Sequence, residues 1–203
     1  MSIEYRILNH DDAPALHNLM DGSRSYLGSH LGFELSEELL ESLKQAASKS
    51  LSTANSRTWG TFEDGALIYA ISGFYPKNFK TWVLHGMYSS AVNDSGLQRF
   101  EKYAVHLEKT TKLLELYGES QGYYSFIGRR PVRHQRAHER MLKRTQDKHK
   151  WTFRYDWKWE KIIKKGTKID QIKYPFLDLS YAPTYESLTD IVLIRWTLKD
   201  EYK

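Results

Sequence analysis

The chain has 203 residues, 40 % hydrophobic and 27 % charged, with a formal net charge of +5 and no cysteine. This composition supports a packed core and excludes disulfides, thiolate metal sites, iron–sulfur clusters and cysteine nucleophiles. The longest apolar run, Ala66 to Ile71, is six residues, against the roughly 20 that a membrane-spanning helix needs.

Ile3, Tyr5 and Ile7 alternate with polar residues and predict a half-buried strand. Asn9-His10-Asp11-Asp12 offers N-cap chemistry. Pro14 then suits a first helical turn, and Leu16, Leu19 and Met20 follow at helical spacing up to Gly22. Ser36 followed by Glu37 and Glu38 predicts a second helix with Leu39, Leu40, Leu43, Ala46 and Ala47 on its apolar side. A three-strand antiparallel meander is expected next. Thr58–Phe62 leads through Asp64-Gly65 into the strand 66–75, and a turn at Pro76 leads into Thr81–Tyr88.

Asn93-Asp94-Ser95 caps a long helix with Leu97, Phe100, Ala104, Leu107, Thr111 and Leu114 on one face and Gly118 as its C-cap. Tyr123–Ile127 reads as a strand, which makes a βαβ unit with a right-handed crossover. Pro131 opens a second helix reaching about Asp147. Trp151, Phe153, Tyr155, Trp157 and Trp159 alternate as a strand to Ile163, and Asp190–Leu198 is the last strand. Residues 1–163 are expected to form the domain core. Residues 164–187, basic and then carrying Pro175 and Pro183, read as an insertion or long loop, and 188–203 as the final strand and tail. The opening Met-Ser-Ile-Glu-Tyr-Arg shows no secretory pattern, and with the missing cysteine this predicts a cytoplasmic chain.

The order of elements resembles the GNAT superfamily of acyl-CoA N-acyltransferases. The opening IEYRILNHDDAPALHNLM is similar to that family's first strand and helix, and TFEDGALIYAISGFY to its second and third strands. The resemblance implies an α/β fold with a mixed central sheet: an antiparallel N-terminal meander, a βαβ crossover and C-terminal strands. It implies acetyl-CoA or another acyl-CoA as substrate, lying between the fourth and fifth strands, and an amine as acceptor. On this reading Met87 and Tyr88 hold the pantetheine through their backbone. Asn93, Ser95 and Gly96 face the pyrophosphate. Arg129, Arg130 and Arg133 reach phosphates, and His85, Tyr123 and Tyr124 are candidates for proton transfer. The sequence departs from the family pattern in the loop Ser89–Gly96, which has one glycine and an aspartate. It departs again at Met141, where the family often has a tyrosine.

The charge is uneven. Residues 129–168 hold 15 Lys/Arg against 4 Asp/Glu, and the rest of the chain 15 against 21. Arg129, Arg133, Arg136, Arg140 and Arg144 step by four, three, four and four, which predicts an arginine stripe on one helix face with Lys143 beside it. Ala137, Met141 and Leu142, with His134 and His138, are assigned to the opposite, packed face. The stripe suits phosphate, from coenzyme A or from nucleic acid, or an acidic protein partner. A non-catalytic interaction protein is therefore the alternative function. Here the chain is faintly similar to acetyltransferase-like proteins encoded by some phages, some of which serve in the virion. His134 and His138 have no third ligand beside them, so no metal site is expected.

Overall fold

A computed structural model describes residues 2–24, 32, 34–77, 79–90, 96–149, 154–169 and 185–203. The chain runs β1 (Ile3–Ile7), a 3-10 turn (His10–Asp12), α1 (Ala13–Gly22), α2 (Glu37–Leu51), β2 (Ser56–Glu63), β3 (Ala66–Phe74), β4 (Thr81–Ser89) and α3 (Gly96–Ser120). It continues through β5 (Ser125–Pro131), α4 (Val132–His149), β6 (Tyr155–Ile163), β7 (Lys168–Ile169), β8 (Tyr185–Glu186) and β9 (Ile191–Leu198). Seven strands form one sheet in the order β1-β2-β3-β4-β5-β9-β6, and β7 pairs with β8 separately. Every neighbouring pair in the large sheet is antiparallel except β4 with β5. The α/β fold class expected from the sequence is the one observed.

The first helix begins as its residues dictate. The Asn9 side chain accepts the Asp11 N–H, and the Asp12 carboxylate accepts the Asn9 N–H, a reciprocal cap. Arg6 grips the same carboxylate with both guanidinium nitrogens, at 2.8 and 2.6 Å. The hydrogen bond from Arg6 holds the Asp12 carboxyl below the usual carboxylate range. A carboxylate with a depressed folded-state pKa stabilises the fold above its unfolded value and loses that contribution as pH falls through the folded value. Asp12→Asn is therefore expected to lower stability at pH 7 by about 1 kcal/mol. Urea unfolding of the two proteins should converge as pH drops below about 4. A gap that stays constant with pH would contradict this role.

Two cores flank the sheet. On one face α1 and α2 lay Leu16, Met20 and Leu40 against Phe62, Ala70 and Tyr88. On the other face a row of aromatic rings crosses the sheet beneath α3 and α4. Tyr75 stacks on Trp82 at 5.4 Å, Trp82 on Phe126 at 4.5 Å, and Phe126 on Trp196 at 4.8 Å. Trp157 stands opposite Trp196 on the edge strand β6. Ring stacking of this kind adds to area burial and holds strands in register. The alternating tryptophans of β6 therefore face the core, as their spacing predicts.

Several boundaries differ from the expectation. α3 runs through Gly118 to Ser120, and its terminator is Gly122, at φ +79. There the Tyr123 N–H returns to Gly118 O and the Gly122 N–H to Glu119 O, the paired bonds of a Schellman cap. Gly118 is instead a packing position, because a Cβ there would lie 3.0 Å from the Trp82 indole. Of the apolar face expected on this helix, Leu114 is fully buried, Thr111 only half-buried beside a buried Thr110, and the side chains at 97, 100, 104 and 107 lie outside those described. β5 starts two residues later and ends four residues later than read. Gly128, Arg129 and Arg130 continue the ladder with β9 as far as Pro131, so Pro131 ends a strand and the helix opens at Val132. Residues 151–153, with Trp151, and most of the 164–187 segment, residues 170–184, lie outside the described residues.

Candidate functional site

β4 and β5 pair over only three residues, Thr81–Ser125, Trp82–Phe126 and Val83–Ile127. The closed end is fastened by the Thr81 and Ser125 hydroxyls, 2.7 Å apart. Beyond it β4 keeps its ladder with β3 as far as Ser89, and β5 keeps its ladder with β9 as far as Pro131. The two strands separate from each other while each stays held on its far side, which leaves a gap in the middle of the sheet.

The divergence has a local cause. Ser72 stands opposite Gly86 but Gly73 stands opposite Leu84, so His85 is an extra, unopposed residue in β4. Such a bulge bends a strand and shifts its side-chain parity. Trp82 and Leu84 lie on the aromatic core, and after the bulge Met87 does. An isolated glycine inside an apolar strand, Gly86, was the available sequence signal. Across the gap β5 carries Gly128, where a Cβ would meet the Trp196 ring at 3.3 Å and Leu84 Cβ at 3.7 Å.

The ladder also fixes which backbone groups face the gap. Ser90 donates its N–H to Ile68 O. Antiparallel pairing alternates, so Tyr88 and Gly86 turn their backbone polar groups to β3, and Met87 and Ser89 turn theirs away. Met87 therefore presents an N–H and a C=O toward the gap. The backbone of Tyr88 does not, and its ring is buried against α1 and α2 with the hydroxyl pushed up to about 12 by burial. The Ser89 carbonyl accepts the Ser23 hydroxyl at 2.6 Å, which fastens the end of α1 to the end of β4.

His85 is exposed to solvent, yet protein surrounds it closely enough to push its imidazole down to about 4. The lowered value leaves His85 neutral at pH 7.

The other sequence-derived candidates are scattered. Tyr123 and Tyr124 stand at the start of β5, the closed end. The Tyr123 hydroxyl donates to Pro76 O at 2.7 Å and its N–H caps α3, while Tyr124 O accepts the Leu198 N–H. Neither tyrosine is near the opening. Gly96 begins α3. The later turns of α3 lie beneath Tyr75 and Trp82, where Tyr75 donates to Leu114 O at 2.8 Å, and an earlier turn meets β1, with His106 Nδ1 2.9 Å from the Tyr5 hydroxyl. Asn93 and Ser95 lie outside the described residues.

Arg129, Arg130 and Arg133 do not converge. The first two alternate across β5, and Arg133 is exposed on α4. Arg130 lies under α4, with Nη1 2.9 Å from His138 Nδ1 and its guanidinium over the Trp196 ring. His134 is pushed down by burial and by Arg133 and Arg130. The inner face of α4 is not Ala137, which is exposed, but Gln135, 1 % exposed, and Glu139. Met141 and Leu142 have side chains outside those described.

One residue the sequence did not single out fixes the neighbouring segment. Gly32, at φ +79, accepts the Leu188 N–H and packs on Pro131, Thr189 and Ile191. It ties the α1–α2 connection to the free end of β5. A Cβ there would lie 3.0 Å from Thr189 Cγ2. Gly32→Ala is thus expected to lower stability by about 1–3 kcal/mol, read by denaturant unfolding. A neutral result would show that the segment does not depend on this contact.

No protein-family model matches the sequence, and no curated protein matches it. Solved structures do match the fold. A probable acetyltransferase from Staphylococcus epidermidis aligns at TM-score 0.58 and 14 % identity over 98 % of this chain and 100 % of that one. The ribosomal-protein-S18-alanine N-acetyltransferase from Escherichia coli aligns at 0.57 and 9 % identity over 98 % and 95 %. The PaiA N-acetyltransferase from Thermoplasma acidophilum, solved in complex with coenzyme A, aligns at 0.53 and 16 % identity over 96 % and 98 %. The chain has the GNAT fold.

Proposed function

We propose that the protein is an acyl-CoA-dependent N-acyltransferase that holds the thioester and an amine acceptor in the gap between β4 and β5. The observation that carries this reading is the gap itself: a parallel pair abandoned after three residues, with the Met87 backbone turned into the opening. The coenzyme A complex of the Thermoplasma protein of like fold supports acyl-CoA as the class of donor.

In this chemistry the amine nitrogen attacks the thioester carbonyl. The C–N bond forms, the C–S bond breaks, and the thiolate leaves and takes up a proton. The protein's part is to align the two substrates and to stabilise the oxyanion. The Met87 N–H is the donor available to that oxygen. The start of α3 at Gly96 offers unpaired N–H groups to a pyrophosphate. His85 is neutral, so its ring nitrogen accepts the proton that the attacking nitrogen must lose. Its weak basicity suits the ammonium of the adduct, which is far more acidic than a free ammonium ion.

Calorimetric titration with coenzyme A and with acetyl-CoA tests the reading. One ligand bound per chain is expected, with affinity weakened at least tenfold by Gly96→Leu. A well-folded sample that binds neither ligand overturns it.

A further inference from the structure

The outer face of α4 is a second candidate surface, and it does not rest on the acyl-transfer reading. Arg133, Arg136, Arg140 and Lys143 are all exposed. At 100° per residue they fall within an arc of about 80°. Arg129, first in the stripe read from the sequence, belongs to β5 instead, and the side chain of Arg144 lies outside those described.

Glu139, the described carboxylate of α4, does not offset the stripe. Glu139 turns inward, and its Oε1 accepts the Gln135 amide at 2.7 Å and the indole N–H groups of Trp159 at 2.7 Å and Trp157 at 3.2 Å. Among the described side chains of α4 it is the only carboxylate. Among the described side chains of α4 the outward row therefore carries cations alone, with the Arg136 guanidinium 5.9 Å from the Trp159 ring centroid.

We propose that this face docks the phosphodiester backbone of a nucleic-acid duplex without reading its bases. Three of the four cations are guanidinium forks, which match phosphate oxygens. From Arg133 to Lys143 the row spans about 15 Å. A duplex strand offers a phosphate about every 3.4 Å along its axis, so about four phosphates face the row. A protein partner fits less well, because interface cores rest on aromatic and apolar anchors, and Ala137 is the apolar residue exposed beside the row. A single strand also fits less well. Such binders stack bases on aromatic rings, and Trp157 and Trp159 have their N–H groups fastened to Glu139 between strand and helix.

The test is fluorescence anisotropy of a labelled, random-sequence DNA duplex of about 20 base pairs, titrated at several salt concentrations. With three or four phosphates neutralised, affinity is expected to fall about 40- to 150-fold between about 50 and 200 mM salt. Arg136→Glu with Arg140→Glu should abolish binding at the higher salt. Arg136→Gln with Arg140→Gln should reduce the salt slope by about 2. Lys77→Glu with Lys80→Glu makes the same change in net charge at the closed end of the sheet and should leave affinity within about twofold. All variants are exposed-site changes, and thermal melts confirm that each is folded. A flat salt dependence, equal losses in the stripe and control variants, displacement of the duplex by saturating coenzyme A, or equal binding of polyglutamate would each overturn the proposal.

Discussion

Trp82→Ala is expected to lower the unfolding free energy by about 3–5 kcal/mol. The indole is fully buried and lies between the rings of Tyr75 and Phe126. Its Nε1–H has no hydrogen-bond partner among the described residues, so packing carries its contribution. Gly118 approaches it so closely that neighbouring backbone cannot collapse into the space without moving α3. Trp82 is also the middle residue of the three that hold β4 to β5. The same variant should therefore loosen the gap and weaken acyl-CoA binding at a temperature where the protein is still folded. Trp82→Phe keeps a ring in the row and should recover at least half of the loss. Equilibrium denaturation gives the first number and calorimetry the second. A loss below about 1 kcal/mol would mean the aromatic row does not hold these strands together.

His85→Gln should lower kcat by about 100-fold or more, the range of a lost proton acceptor, with little change in KM for acyl-CoA. In the wild type the acid limb of the kcat profile should lie below the ordinary imidazole value of 6.5, so activity stays level through pH 7–8 apart from ionisation of the acceptor. Activity within a few-fold of wild type would remove His85 from the reaction. Stability supplies an independent readout. Burial lowers this imidazole from an ordinary value of 6.5, so between that value and about 4 the unfolded chain binds a proton that the folded chain refuses. Wild-type stability therefore declines as pH falls through that window, and the His85→Gln protein should decline less. This second result depends only on the position of His85, so it stands whether or not the chain transfers acyl groups.

Much of the framework was legible because local chemistry and global fold agree in it. Ser36 caps the helix it was assigned, and Asn9 caps the 3-10 turn that leads into α1, each accepting a backbone N–H. Asp64 and Gly65 both take positive φ, as the hairpin signal requires. Where tertiary packing overrode local preference, the reading shifted. Gly128-Arg129-Arg130-Pro131 looks like a turn followed by a helix start. It stays extended because β9 pairs with all four residues, while the arginines alternate across the sheet. The inner face of α4 escaped notice because its contacts with β6 are polar: a carboxylate meeting indole N–H groups has no hydrophobic period. The bulge at His85 escaped for another reason. Its sequence signal, the isolated Gly86, does not say where the register between β3 and β4 shifts, which is fixed only once both strands are paired. The candidate site was thus readable as a place in the fold, while the side chains that face it were not.

The position of β9 bears on how the chain can be made. It leaves the ribosome after both of its neighbours, yet it lies between β5 and β6, with Ser125 opposite Thr197 and Tyr155 opposite Leu198. Until it arrives, β5 has only a three-residue partner and β6 has none in the large sheet. At a synthesis rate of about 5–20 residues per second, the edge of β5 and the Trp- and Ile-bearing edge of β6 stay uncovered for seconds. The nascent chain is therefore most prone to mispairing between the emergence of β6 and that of β9. A stall, or a premature stop anywhere ahead of Ile191, would release a sheet with its centre missing, not merely a shortened one.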